Sequence, residues 1–435
     1  MNNWRDFMEF SKIYNPDINE TVYFAEHRSG VGVFVIPKKD FSKKYAIIGA
    51  NIGSVNNHFY PLGESEPCRV PDGIAHFLEH KMFEQSDGTN AFDKFSIYGA
   101  NANAYTSFTS TCYLFSCTKN FDECYEHLLS YVSDPYFTDE NVSKEMGIIG
   151  QEIRMYDDDG DWRVMFNLLE AMYEKCPVNI DIAGTTESIS KITKDTLYKC
   201  YNTFYNPSNM VICICGDVDI EKIGKITDKV MPNKKTGAKA VSIFPDEKET
   251  VFKKEVTQNL SVAFPLFNIG YKDKCGYEGN ELLKNEIAAE ILLLTIASKS
   301  SDLYTSLYEE GLINEEFSYD TMYENAFSCV MLGGESKNPT LTEEKITKYI
   351  KEKNGVTKEE FDRAKKVIWG DYVRSYNNVE KVAGMFLRNI LKGVNTLEFK
   401  EVFDSIDLDF VNNKYHTLFD DDKKSISIVY PNKEN

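Results

Sequence analysis

The chain has 435 residues, 42% of them hydrophobic, and a formal charge of −19 with six histidines and ten cysteines. Its length exceeds one ordinary domain and suits two of about 200 residues, each with enough apolar side chains for a core. The acidic balance argues against a nucleic-acid partner, and no run of eighteen apolar residues offers a membrane span.

The cysteines include no C-x-x-C pair, so free thiols in a reducing compartment are expected. The opening M-N-N-W-R-D-F-M-E-F holds no apolar stretch of the signal type, and a cytoplasmic protein is the expectation. Residues 1–30 mix polar and aromatic side chains and read as a leading helix or strand. Val31–Pro37 and Tyr45–Ile52 read as strands joined by a basic turn at Lys38–Lys44.

Pro71–Glu84, P-D-G-I-A-H-F-L-E-H-K-M-F-E, reads as a helix. Asp72 suits its N-cap, and Ile74, Leu78 and Met82 recur every fourth residue on one face. His76 and His80 are four apart, so both imidazoles leave the same side. Two such histidines can hold one zinc ion, and the neighbouring Glu79 can act as base toward a water activated by it. H-x-x-E-H is the inverted form of the H-E-x-x-H zinc-protease signature. With only six histidines, the motif rarely arises by chance.

Zinc needs a third protein ligand, which directs attention downstream. Asn90–Tyr98 reads as a short amphipathic helix, Asn101–Cys117 as a strand with one wet face, and Phe121–Ser133 as a helix. Thr138 then opens a helix with an acidic first turn. Glu145 and Glu152 lie seven apart on one face of it, while Met146, Ile149, Ile153 and Tyr156 form an expected core face. The acidic run Asp157–Asp159 before Gly160 reads as a solvated helix end rather than a calcium site.

These residues together resemble the pitrilysin/insulinase family of zinc metallopeptidases, the inverzincins, and within it the short-chain branch that includes mitochondrial processing peptidase and bacterial relatives. The family pattern is H-x-x-E-H followed downstream by a ligand glutamate, with a second glutamate seven residues before it. The resemblance implies that His76, His80 and Glu152 are zinc ligands, Glu79 the catalytic base, and Glu145 the carboxylate that orients a ligand. The block Gly99–Ser107, with Tyr113, matches the family's active-site strand. It implies that Asn101, Asn103, Ala104, Tyr105, Thr106 and Tyr113 meet a peptide substrate, added to the edge as a strand. The family also draws an Arg and a Tyr toward the zinc from a later domain. Tyr319 matches the Tyr, whereas Tyr308 stands where the Arg is expected.

Beyond the first helices, Trp162–Tyr173 and Asp195–Phe204 read as helices and Met210–Cys215 as a buried strand. The polar stretch Met231–Ala240 reads as a linker. F-T-D-E-N-V-S-K-E-M-G-I-I-G-Q-E is echoed by V-T-K-E-E-F-D-R-A-K-K-V-I-W-G-D at an offset of 219, Thr138 on Thr357 (357 − 138). The offset carries Glu152 to Asp371, and His76, Glu79 and His80 to Thr295, Ser298 and Lys299, so the second half is expected to lack zinc chemistry. The expected fold is α+β: two related α/β sandwich domains, each a mostly antiparallel sheet covered by helices, forming half of a clamshell. The boundaries fall at 1–231, a linker 232–241, and 242–435. The expected activity is zinc-dependent endopeptidase action on unfolded peptides, with a non-catalytic scaffold or assembly subunit as the alternative. The resemblance further implies a dimer. A heterodimer with a paralogue that lacks the zinc motif and carries the Arg is favoured over a homodimer.

Overall fold

The computed structural model describes residues 8–432; the first seven, part of the N-terminal reading above, lie outside them. The apolar runs of the first half become a seven-stranded sheet. Its order is Ser11–Asn15, Glu20–Glu26, Gly32–Pro37, Met210–Gly216, Lys44–Ala50, Thr111–Cys117, Asn101–Thr106. Gly32–Pro37 runs parallel to Met210–Gly216, and the other neighbours are antiparallel. Met210–Gly216 is buried at all seven positions, as its unbroken apolar run requires of a central strand. All ten cysteines are free thiols.

The second half builds a five-stranded sheet in the order Glu255–Leu260, Lys424–Pro431, Leu266–Lys272, Ser328–Glu335, Ser318–Tyr323. Its first pair is parallel and the rest antiparallel. It therefore repeats, strand for strand, the last five strands of the first sheet. Helices Asp139–Asp157 and Lys358–Ser375 begin 219 residues apart (358 − 139), as do Gly160–Met172 and Val379–Leu391 (379 − 160). By the closing strands Met210–Gly216 and Lys424–Pro431 the spacing has shortened to 214 (424 − 210).

Two compact units result. One takes the chain up to Gly150, Ile182–Ile243 and Val373–Leu397; the other takes Gln151–Asp181, Phe244–Tyr372 and the chain from Glu398. They differ from the sequential halves 1–231 and 242–435 because each takes a helix from the opposite half. Val379–Leu391 lies on Lys44–Ala50 and Met210–Gly216, while Gly160–Met172 lies on Leu266–Lys272 and Lys424–Pro431. Glycine makes both approaches possible. A Cβ on Gly49 would stand 2.9 Å from Leu387 Cδ2, and one on Gly270 would stand 2.4 Å from Met172 Sδ and 3.0 Å from Leu168 Cδ2.

Several local readings change. Of the helix or strand expected over residues 1–30, the described part forms two strands, Ser11–Asn15 and Glu20–Glu26. The single strand expected over Asn101–Cys117 is a hairpin, closed by Ser107, whose hydroxyl accepts from the Ser110 amide at 3.0 Å. The alternation runs through both arms, so the period alone hides the turn. In the acidic run, Asp159 caps the next helix by accepting from the Trp162 amide at 2.9 Å. Among the described residues, no helix is long and apolar enough to cross a membrane.

Candidate metal centre

The histidine helix spans Ile74–Lys81. Asp72 does not cap it: its carboxylate accepts from Asn57 Nδ2 at 2.7 Å, and Gly73 takes the N-cap place with φ 85°. A Cβ on Gly73 would lie 2.3 Å from the Ala183 carbonyl oxygen, so close backbone approach as well as positive φ selects glycine. Ile74, Leu78 and Met82 are buried as the periodicity demands. They turn the face carrying His76 and His80 toward the glutamate helix. The two imidazoles sit with ring centres 4.5 Å apart.

The glutamate helix spans Asp139–Asp157. Its start is doubly tied: the Asn141 amide donates to the Thr138 hydroxyl at 3.1 Å, and the Thr138 amide to Asn141 Oδ1 at 2.8 Å. Ile149 and Ile153 are buried, as expected of a core face. Tyr156 is not core; it is half-buried, and its hydroxyl donates to Glu152 Oε1 at 2.8 Å. A phenol offers both an apolar ring and a donor, and here the donor decides its place.

One ligand atom each from His76, His80 and Glu152 lies within 4.8 Å of the others, the sole such metal-capable group among the described residues. Zinc bonds of about 2.0–2.2 Å put neighbouring ligand atoms roughly 3.4 Å apart in a tetrahedron, so a closure of about an ångström suffices. Two imidazoles and a carboxylate also form a zinc donor set with an open fourth position. The residues therefore fit the ion.

Around this trio, Glu145 Oε1 lies 3.1 Å from His80 Nδ1, and its Oε2 lies 3.6 Å from Lys81 Nζ. Burial pushes the Glu145 carboxyl up, but the His80 hydrogen bond and the Lys81 charge bring it below the usual carboxylate range. The Thr106 hydroxyl donates to Glu79 Oε2 at 2.6 Å, so Thr106, expected to meet substrate, is occupied with Glu79 instead. Tyr113 is likewise no substrate contact here: it is wholly buried, its hydroxyl 2.7 Å from that of Tyr205, and burial raises its pKa well above the ordinary value.

Asn101–Thr106 is the free edge of its sheet, with Asn101, Asn103 and Tyr105 exposed. Asn103 Oδ1 accepts from the Ala104 amide at 2.9 Å, covering one donor of that edge. A cavity of about 540 Å³ opens beside it, lined by Glu79, His80, Glu145, Phe83, Asn103 and Ala104 among others.

Tyr319 and Tyr308 belong to the second unit. Tyr319 is half-buried on Ser318–Tyr323; burial, then the charges of Glu290 and Asp371, push its hydroxyl up to about 12. Tyr308 is exposed and stacks on Tyr304 with ring centres 5.9 Å apart. The helix Gly279–Ala297 carries no histidine. There Glu290 is pushed up to about 7 by burial and by Glu286, Asp371 and Asp320. Lys81 and Tyr156 are the neighbours that the sequence reading missed. Lys81 gave a signal, because it falls seven residues after Ile74, at an apolar-face position of the helix.

Comparison with known proteins adds independent findings. Residues 69–186 match the family model described as insulinase (peptidase family M16), and residues 191–368 the one described as peptidase M16 inactive domain. The chain is 43% identical over 423 residues to YmfH of Bacillus subtilis, named an uncharacterized zinc protease, covering 95% of this chain and 97% of that one. The crystal structure of an M16-like peptidase from Alicyclobacillus acidocaldarius superposes with a TM-score of 0.90 at 32% identity, covering 98% and 99% of the two chains. Pitrilysin shares the fold at a TM-score of 0.76 and 14% identity, and this chain covers 47% of its length.

Proposed function

The chain belongs to the insulinase (M16) family of peptidases, and from that premise we propose that it is a zinc-dependent endopeptidase acting on unfolded peptides or exposed segments. The observation that carries the reading is the convergence of His76, His80 and Glu152 on one point, with Glu79 on the same helix. When bound, zinc supplies a Lewis acid that polarises the scissile carbonyl and makes water acidic enough to give up a proton near neutral pH. Glu79 accepts that proton and passes it to the departing amine. Thr106 holds Oε2 of Glu79 and so orients the carboxylate. Glu145 accepts the Nδ1 proton of His80, which leaves Nε2 as the ligand atom. An extended substrate pairs with the edge Asn101–Thr106, and Asn103 swings off the Ala104 amide to admit it.

The alternative, a non-catalytic scaffold subunit, is disfavoured by the complete set of His76, Glu79, His80, Glu145 and Glu152. The partner of this chain is proposed to be a paralogue without the zinc motif, with a homodimer as the competing arrangement. Support comes from Tyr308, which stands where the family resemblance expects an arginine. The reading is tested with Glu79→Gln on a mixed peptide library. Cleavage is expected to fall about a hundredfold to ten-thousandfold while the metal stays bound. Undiminished cleavage by this variant contradicts the role given to Glu79.

A further inference from the structure

We propose that Lys81 is a positioning residue of this centre: its ammonium anchors the Glu145 carboxylate, and that carboxylate holds His80. The inference rests on the zinc reading above and adds a residue which that reading does not need.

Lys81 closes the histidine helix directly after His80, and its side chain is 1% exposed. An ammonium taken out of water is costly unless it is paired, so a lysine at an apolar-face position demands a specific reason. Two carboxylates supply it. Nζ bonds to Glu84 Oε2 and lies 3.6 Å from Glu145 Oε2. Glu84 comes from the turn just beyond the helix, so it fixes the ammonium locally. Glu145 comes from the other helix and is the functional partner.

The two oxygens of Glu145 are divided between two neighbours. Oε1 meets His80 Nδ1 at 3.1 Å and Oε2 faces the ammonium. With both oxygens engaged, the carboxylate cannot turn about its last bond without losing a partner. The plane of His80 is thereby set, and Nε2 is presented to the point where His76 and Glu152 converge. With Lys81 removed, one oxygen loses its cation, and the carboxylate that holds His80 Nδ1 is free to turn. Such outer partners of ligating histidines typically change metal affinity tenfold to a hundredfold.

The test is a double-mutant cycle read as zinc affinity, by competition of the purified full-length chain with a chromophoric chelator. Lys81→Met keeps the unbranched stem of the side chain and removes the ammonium. It is expected to weaken zinc binding about tenfold or more in the native background. In a Glu145→Gln background the same change is expected to cost less than about threefold, because the group through which Lys81 acts is already altered. Lys81→Arg is expected to restore most of the affinity. Equal losses in both backgrounds would show a general structural effect and overturn the proposal, as would unchanged affinity in the native background. If Lys81→Met alone fails to fold, the double variant still decides: zinc affinity equal to that of Glu145→Gln supports the proposal, and a further tenfold loss overturns it. A native chain that binds no zinc would defeat the zinc reading itself, a result distinct from either.

Discussion

The Thr106 hydroxyl donates to Glu79 at 2.6 Å, and that bond joins the edge strand Asn101–Thr106 to the histidine helix. In the proposed function it positions the carboxylate that takes a proton from water. Thr106→Val keeps the shape of the side chain and removes the donor. Peptide cleavage is expected to drop about tenfold in kcat with zinc content unchanged, since a small misplacement of the base is enough. A kcat equal to that of the native protein would show that the bond has no part in positioning. At this scale much was legible. The helical period places His76, Glu79 and His80 on one face of one helix and Glu145 and Glu152 on one face of another, and the family resemblance implied that the two faces meet. What the period cannot show is which neighbour from another element a side chain will meet. Thr106 falls with Ala102 and Ala104 on the half-buried face of its strand, where its hydroxyl turns to Glu79; Tyr113 looks like a site tyrosine, yet a second tyrosine holds it in the core.

The elements are set by apolar runs, and the approach between them is set by glycine. Gly270 lies under Leu168 and Met172 of the helix Gly160–Met172, whereas a Cβ on Gly147 of the glutamate helix would meet nothing within 4 Å. The two substitutions to alanine should therefore have opposite signs. Gly270→Ala is expected to destabilise the protein by about 1–3 kcal/mol through overpacking. Gly147→Ala is expected to stabilise it by about 0.5–1 kcal/mol through helix propensity. Thermal melting of both variants checks this, and a stabilised Gly270→Ala would mean that the helix does not press on that strand. The repeat at 219 was legible because the paired helices start with the same acidic turn. The exchange of Gly160–Met172 and Val379–Leu391 was not, because an amphipathic helix shows that it has an apolar face and not which sheet receives it.

The whole molecule carries, among its described residues, one complete set of metal-capable residues and, in its second unit, a carboxylate cluster without histidine. The partner reading belongs at this scale. The chain freed of other polypeptides, its purity shown by mass, is expected to cleave peptides weakly and to gain activity when an arginine-bearing paralogue is added. An arginine fork grips a peptide carbonyl or carboxylate in a way that the Tyr308 phenol cannot reproduce. Full activity of the pure chain would contradict the heterodimer and leave the metal centre untouched. The most direct measurement of the central claim is metal analysis of the purified protein beside His76→Ala, His80→Ala and Glu152→Gln. One zinc per native chain, lost in each of the three variants, is the expected result; zinc retained in full by His80→Ala would contradict the site.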